Sequence, residues 1–304
     1  MSHGRAVTLM VLVTLLWSIA GVVTRHLDAA RSFEVTFWRS LFNALALLVI
    51  LGAMRGAGLW RVLAGGGRLL WVSGVCWGIM YTAFMVALTL TSVANVLVTM
   101  AVGPLITALF SRLFLGHRLP ARTWAAIGAA ATGIAWMFGE EAARGVSLLG
   151  SLVALAVPIA ASVNWTLLQQ LAKQATDSGE AAPDMLPAIL LGALLSAAAT
   201  LPLAWPLQAS VHDISLLAVL GAVQLAIPCV LVVRVAQHLP AHEVALLALL
   251  EVIFGVALAW LGAGEQPTRS TLYGGALVLG ALVANELAGR RERQNTTAAP
   301  GAAS

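Results

Sequence analysis

Glu251 is the only acid near the middle of any long apolar run in this chain of 304 residues. A carboxyl group so placed can bind an ammonium or carry a proton; neutral and hydrogen-bonded, it can instead pin one helix to its neighbours. A second candidate feature is aromatic. Trp77, Tyr81 and Phe84 recur at i, i+4 and i+7, so on a helix they share one face, with Met80 beside them. A further stripe, Pro158, Ser162, Trp165 and Gln169, does the same on a later run. Two such stripes facing each other would suit a solute with an apolar or aromatic body and a small polar head, and each would equally suit a plain helix contact. Trp17 and Met100 fall inside their own runs and join the candidate lining. Pro104, Pro158 and Pro228 each lack a backbone donor and leave a carbonyl four residues earlier unpaired, at Met100, Ala154 and Gln224. Such groups are tolerated at membrane depth where protein or water satisfies them, and Gln224 adds a side-chain amide at that level. Arg39 lies about one turn inside its run, where a long side chain can snorkel to the surface; the alternative is that it meets a substrate carboxylate. Asn43, one turn deeper on the same face, reads as its packing partner.

The elements that must hold these groups follow from composition. Charged residues are 10% of the chain and AVILMFWYC residues 60%, against roughly 25% charged in an ordinary soluble domain. Apolar runs lie at 6–23, 35–54, 69–90, 93–115, 123–138, 148–171, 186–204, 214–235, 244–262 and 272–288. Runs of that length in hydrocarbon must be helices, because their backbone groups can bond only within the segment. The expected fold is therefore all-α, a polytopic membrane protein of ten transmembrane helices. The first run exceeds a typical signal-peptide core and is kept as a helix. With the N-terminus inside, twelve basic residues fall on inner segments and four on outer ones, Arg25, Arg31, Arg144 and Arg269. That asymmetry puts both termini in the cytoplasm. Seven tryptophans, at 38, 60, 71, 124, 136, 205 and 260, sit near run ends, where interfacial belts form. The net charge of +4 is scattered and does not indicate nucleic acid. Cys76 and Cys229 are too few and too far apart for a disulfide framework or zinc. His242-Glu243 lacks the second histidine of a zinc-protease helix, and no phosphate-binding loop or nucleophile elbow is present, so neither an enzyme nor a cofactor is expected. Small residues at 125, 129 and 133, and at 276, 280 and 284, are expected to mediate packing within the molecule, with a dimer contact as the alternative.

Sliding the chain by 148 residues places Trp17 on Trp165 and aligns the run from Pro104 with the run from Val252. Five helices per copy is odd, so the second copy enters the membrane from the opposite side, as in many secondary transporters. The expected units are 1–142, an inverted 143–294, and a disordered cytoplasmic tail at 295–304. The stretches LLWSIAGVVTRHL, FEVTFWRSLFNAL and ALLEVIFGVALAWLGAGEQPT, then YGGALVLGALV, resemble the drug/metabolite transporter superfamily in its EamA-type ten-helix branch. Within it the chain looks most similar to bacterial aromatic amino-acid exporters. The family's late motif is matched by Glu251 and Glu265, whereas Val252 stands for its proline and Gly103 and His117 occupy the corresponding places in the first copy. The resemblance implies a carrier of the bacterial inner membrane that moves a small-molecule substrate by alternating access. Its cavity would be lined by the first, third, fourth, sixth, eighth and ninth runs. Amino acids with aromatic or apolar side chains are the expected cargo, carried by a monomer or weak dimer in contact with membrane lipid. The alternative is a cationic-drug exporter with Glu251 as counter-charge.

Overall fold

The computed structural model describes residues 2–115, 118–143, 148–179, 183–235, 239, 244 and 247–298. Expectations attached to His117 and to His242-Glu243 lie outside these residues. The described elements are helices: α1 (His3–Thr24), α2 (Ser32–Arg55), α3 (Gly58–Gly65), α4 (Arg68–Leu90), α5 (Val93–Ala101), α6 (Gly103–Leu115), α7 (Ala121–Ala143) and α8 (Leu149–Ser178). They continue as α9 (Pro187–Ala204), α10 (Val211–Val219), a π-helical turn (Leu220–Ala226), α11 (Ile227–Val235), α12 (Leu250–Ala263) and α13 (Arg269–Ala298).

Among the described residues, eight helical stretches are long and apolar enough to cross a membrane, which makes the chain a polytopic membrane protein. They correspond to α1, α2, α4, α5–α6, α8, α9, α10–α11 and α13. Two of the ten expected runs fall short of that standard. The α7 sequence is rich in alanine, glycine and threonine, and so is less apolar than its length suggests. Helix α12 has only 14 described residues, because its run begins among residues that are only partly described.

The fourth run is not one helix. It breaks at Val102, whose N–H turns back to the Met100 carbonyl, and α6 starts afresh at Gly103 with Pro104 in its first turn. A proline has no N–H to give there and fits a helix start, so the chain restarts rather than kinks. Pro158, by contrast, remains inside α8. The final helix extends to Ala298, into the segment read as a tail, since Arg290 to Gln294 are all good helix formers.

The helices pair in a reciprocal pattern. Helix α2 lies on α9 and α7 on α13; α4 packs against α8 and α9, while the α10–α11 run packs against α2 and α1; α1 packs on α12, and α5–α6 on α8. The contact of α7 with α13 is backbone to backbone: a Cβ at Gly133 would sit 2.8 Å from the Gly274 carbonyl oxygen, and one at Gly274 would sit 2.7 Å from that of Gly133. Packing within the molecule therefore holds for Gly133. It fails for Ala125, Ala276, Gly280 and Ala284, which are exposed, because the buried face of α7 is Thr123, Ala126, Ala130, Gly133 and Met137 and that of α13 is Thr271, Gly274, Gly275, Val278 and Leu282. Six of the seven tryptophans near run ends are exposed, as interfacial belts require, and the seventh, Trp38, is half-buried with its indole N–H directed at Glu34.

Polar interlocks gather at the end carrying the 25–31 connection. Arg25 binds Glu265 at 2.6 Å and the carbonyls of Leu88 and Thr91 at 2.6 and 2.7 Å, while the Val93 N–H donates to the other Glu265 oxygen at 2.6 Å. Asp213 accepts the backbone N–H groups of Asp28, Ala29 and Ala30 at 2.7 to 3.0 Å, and Glu34 accepts those of Gln208 and Ala209 at 2.8 and 2.7 Å. Each carboxylate thus ties a loop of one half of the chain to a helix of the other.

Candidate functional site

The aromatic stripe of α4 forms as the spacing requires. Its buried members are Met80, Tyr81 and Phe84, and Trp77 is half-buried. The Trp77 and Tyr81 rings lie 5.6 Å apart, and Trp165 of α8 meets Trp77 edge-on at 6.1 Å. Trp165 itself is 40% exposed, so the ring cluster is closed on one side and open on the other. The two stripes meet at Trp165 alone, because Pro158 and Ser162 turn towards Gly103 and Thr107 of α6. Ser162 is buried and donates to the Pro158 carbonyl at 2.6 Å, while sharing a 3.0 Å bond with the Thr107 hydroxyl of α6. These bonds stitch the proline-bearing turn of α8 to the start of α6. The side chain of Gln169 lies outside the described set. Met100, half-buried, packs against the same core as Met80 and Phe84.

Gln224 belongs to the π-helical turn that precedes Pro228. Such a turn carries one extra residue per winding and recurs at functional sites. The missing N–H at Pro228 already removes one α-helical bond there. The turn rests directly on α2: a Cβ at Gly221 would lie 2.6 Å from the Arg39 carbonyl oxygen and 2.7 Å from the Asn43 nitrogen. This approach brings the Gln224 side chain across to α2 and α1. Its Oε1 accepts from Arg39 Nε and Nη2 at 3.3 and 3.0 Å, and its Nε2 donates to the Trp17 carbonyl at 3.0 Å. Trp17 is half-buried between the clusters that α1 shares with α4 and with α11.

Arg39 departs most from the sequence expectation. It does not snorkel: it is 1% exposed, sealed from lipid and water alike, with its guanidinium carbon 5.6 Å from the centre of the Phe84 ring. A signal for this was present. Thr36, Arg39, Ser40 and Asn43 recur at i, i+3, i+4 and i+7, and all four are buried. A polar stripe on a membrane helix must turn inward, and Ser40 continues it through Ser196 of α9 at 2.9 Å to Thr82 of α4 at 2.8 Å. Asn43 is buried on the same face as Arg39, and its amide makes no hydrogen bond to the guanidinium. Tyr81 places its hydroxyl 4.0 Å from Cys229 Sγ, inside this same region. Glu251, half-buried in the first turn of α12, faces the region without an ion pair to Arg39.

Two cavities open elsewhere. One of about 210 Å³ lies among α6, α7 and α13 beside Pro104, Thr123 and Asn285. The other, about 340 Å³ and apolar, lies among α5, α12 and α13 beside Val98, Trp260 and Gly275. None of the eleven expected lining residues borders either one.

The model of the EamA-like transporter family matches residues 4–139 and again residues 148–285. Pseudopaline exporters from two strains of Pseudomonas aeruginosa are 25% identical over 282 residues, spanning 91% of this chain and 94% of each relative. A solved crystal structure shares the fold with a TM-score of 0.60 at 20% identity, covering 95% of this chain and 99% of that one.

Proposed function

The chain belongs to the EamA-like transporter family, a transporter of small molecules rather than an enzyme, and from that premise we propose that it exports amino acids with aromatic or apolar side chains. One observation carries the reading: the Trp77–Tyr81–Trp165 rings stand beside a buried polar group, Arg39 with Gln224, and Glu251 of α12 is near enough to act on Arg39. In this reading the rings hold the apolar part of the cargo, and Glu251 meets its ammonium. Trp17, Met80, Phe84, Met100, Pro158, Ser162 and Gln224 shape the walls. Relatives that carry a metabolite outward agree with export.

The mechanism proposed is alternating access between two inverted five-helix repeats, 1–142 and 143–294, in the bacterial inner membrane with both termini cytoplasmic. The double match of the family model supports two copies, and the reciprocal pairing of α4 with α8 and of α10–α11 with α1 is the pattern that a two-fold axis in the membrane plane produces. The interlocks of Arg25, Glu34 and Asp213 would hold one end shut while cargo enters at the other. A cationic-drug exporter is the weaker reading, because a buried guanidinium beside the rings repels a cation.

Counterflow of labelled phenylalanine, leucine and an organic cation into liposomes tests this. Saturable phenylalanine exchange is expected, with a larger loss for phenylalanine than for leucine in Trp77→Ala and Trp165→Ala. Exchange of the cation without either amino acid would overturn it.

A further inference from the structure

Arg39 carries a positive charge into the sealed interior of the bundle, where Glu251 acts on it electrostatically without forming an ion pair. Two of its three nitrogens share one neutral acceptor, Gln224 Oε1, and Nη1 has no hydrogen-bond partner. Among the described residues no carboxylate lies within ion-pair distance of it. One turn along the same helix, Asn43 is wholly buried beside the Tyr81 hydroxyl, and neither of its amide atoms makes a well-formed hydrogen bond. An unmet donor and a cation without a paired carboxylate are costly in a buried interior that water does not reach. A planar guanidinium with an open nitrogen is the natural partner of a carboxylate, and an amide N–H one turn away adds a second donor. One cation with one amide matches a single negative charge; a phosphate would need more.

We infer that Arg39 and Asn43 form the subsite for the cargo's carboxylate, with Gln224 as the positioning residue that holds the guanidinium. This rests on the reading of the ring cluster as the cargo site and names the group that anchors it. The π-helical turn sets the arrangement, since Gly221 lets α2 approach closely enough for Gln224 to reach both Arg39 and the Trp17 carbonyl. Phe84, Tyr81 and Trp77 follow one another along α4 away from the guanidinium, so the apolar body of a bound acid extends onto the rings.

Thermal unfolding of the purified protein in detergent, with phenylacetate, phenylalaninamide or phenylalanine added, isolates the carboxylate. Phenylacetate and phenylalanine are expected to raise the Tm of the unaltered protein. Asn43→Ala and Arg39→Gln should weaken the apparent affinity for phenylacetate at least tenfold. Gln224→Glu supplies an internal carboxylate to Arg39; it should keep or raise the Tm without ligand and abolish the response to phenylacetate. That comparison also distinguishes a ligand site from a purely structural Arg39, for which any response to phenylacetate would be the same in Gln224→Glu as in the unaltered protein. If Arg39→Gln does not fold, the other two variants decide. No stabilisation by phenylacetate, or the same stabilisation in Gln224→Glu and Asn43→Ala, overturns the subsite. Stabilisation by phenylacetate that needs Arg39, in a protein that fails to exchange phenylalanine, would retain the subsite and remove amino-acid export instead.

Discussion

Two acids of the late sequence motif do different work. Glu265 accepts from Arg25 and from the Val93 N–H, so it closes a joint between α12, α1 and the start of α5. Glu265→Ala would strip both and leave the partly buried Arg25 with only its two carbonyls. A loss of about 1–3 kcal/mol of stability is expected, read as a lower Tm that does not depend on cargo. Glu251 makes no such joint among the described residues. Glu251→Gln is expected to leave the Tm near its original value and to weaken phenylalanine exchange about tenfold, or roughly 1.4 kcal/mol, with little effect on an acid lacking the ammonium. Unchanged exchange of phenylalanine would remove Glu251 from the cargo site. Among the residues themselves, the aromatic stripe was legible because its spacing alone defines a face. Arg39 was misread because depth along a helix was weighed without the polar company of Thr36, Ser40 and Asn43, which shows which way the face turns.

At the scale of elements, the contact of α4 with α9 depends on glycine. A Cβ at Gly192 would sit 2.9 Å from the Gly78 nitrogen and 3.0 Å from the Gly74 carbonyl oxygen, and it would also collide with the Trp77 side chain. Gly192→Ala must push the helices apart, costing about 1–3 kcal/mol and loosening the ring cluster. Gly280, on the outer face of α13, has nothing within 4 Å. Gly280→Ala is expected to be neutral or to stabilise by up to about 1 kcal/mol, because alanine loses less backbone entropy in a helix. Comparing the two variants by thermal unfolding checks the assignment of buried and outer faces. The break at Val102 and the π-helical turn at Leu220–Ala226 both lie close to prolines that the sequence displays. A proline announces a missing bond; whether the chain restarts, winds wider or simply continues, as α8 does around Pro158, depends on what packs beside it.

For the whole molecule, the interlocks at one end and the ring cluster at the centre describe a bundle held together by loops that cross between its halves. Topology is directly testable, because both native cysteines are buried and should stay silent. Ser2→Cys and Ser304→Cys, made singly, are expected to react with a membrane-impermeant maleimide only from the cytoplasmic side. Labelling of the two from opposite sides would rule out an even number of crossings and with it the two inverted repeats. The eight runs that form helices long enough to cross could be read in advance, since hydrocarbon imposes length and composition on any helix that crosses it.

The sequence by itself determined that this chain is a helical membrane protein with an aromatic stripe at mid-depth, because burial in lipid and a period of 3.6 residues leave few alternatives. Only the tertiary structure decided which polar groups meet. Arg39, Gln224 and the Trp17 carbonyl lie on three helices far apart in the chain, and they come together through a backbone approach at Gly221 that no local pattern encodes.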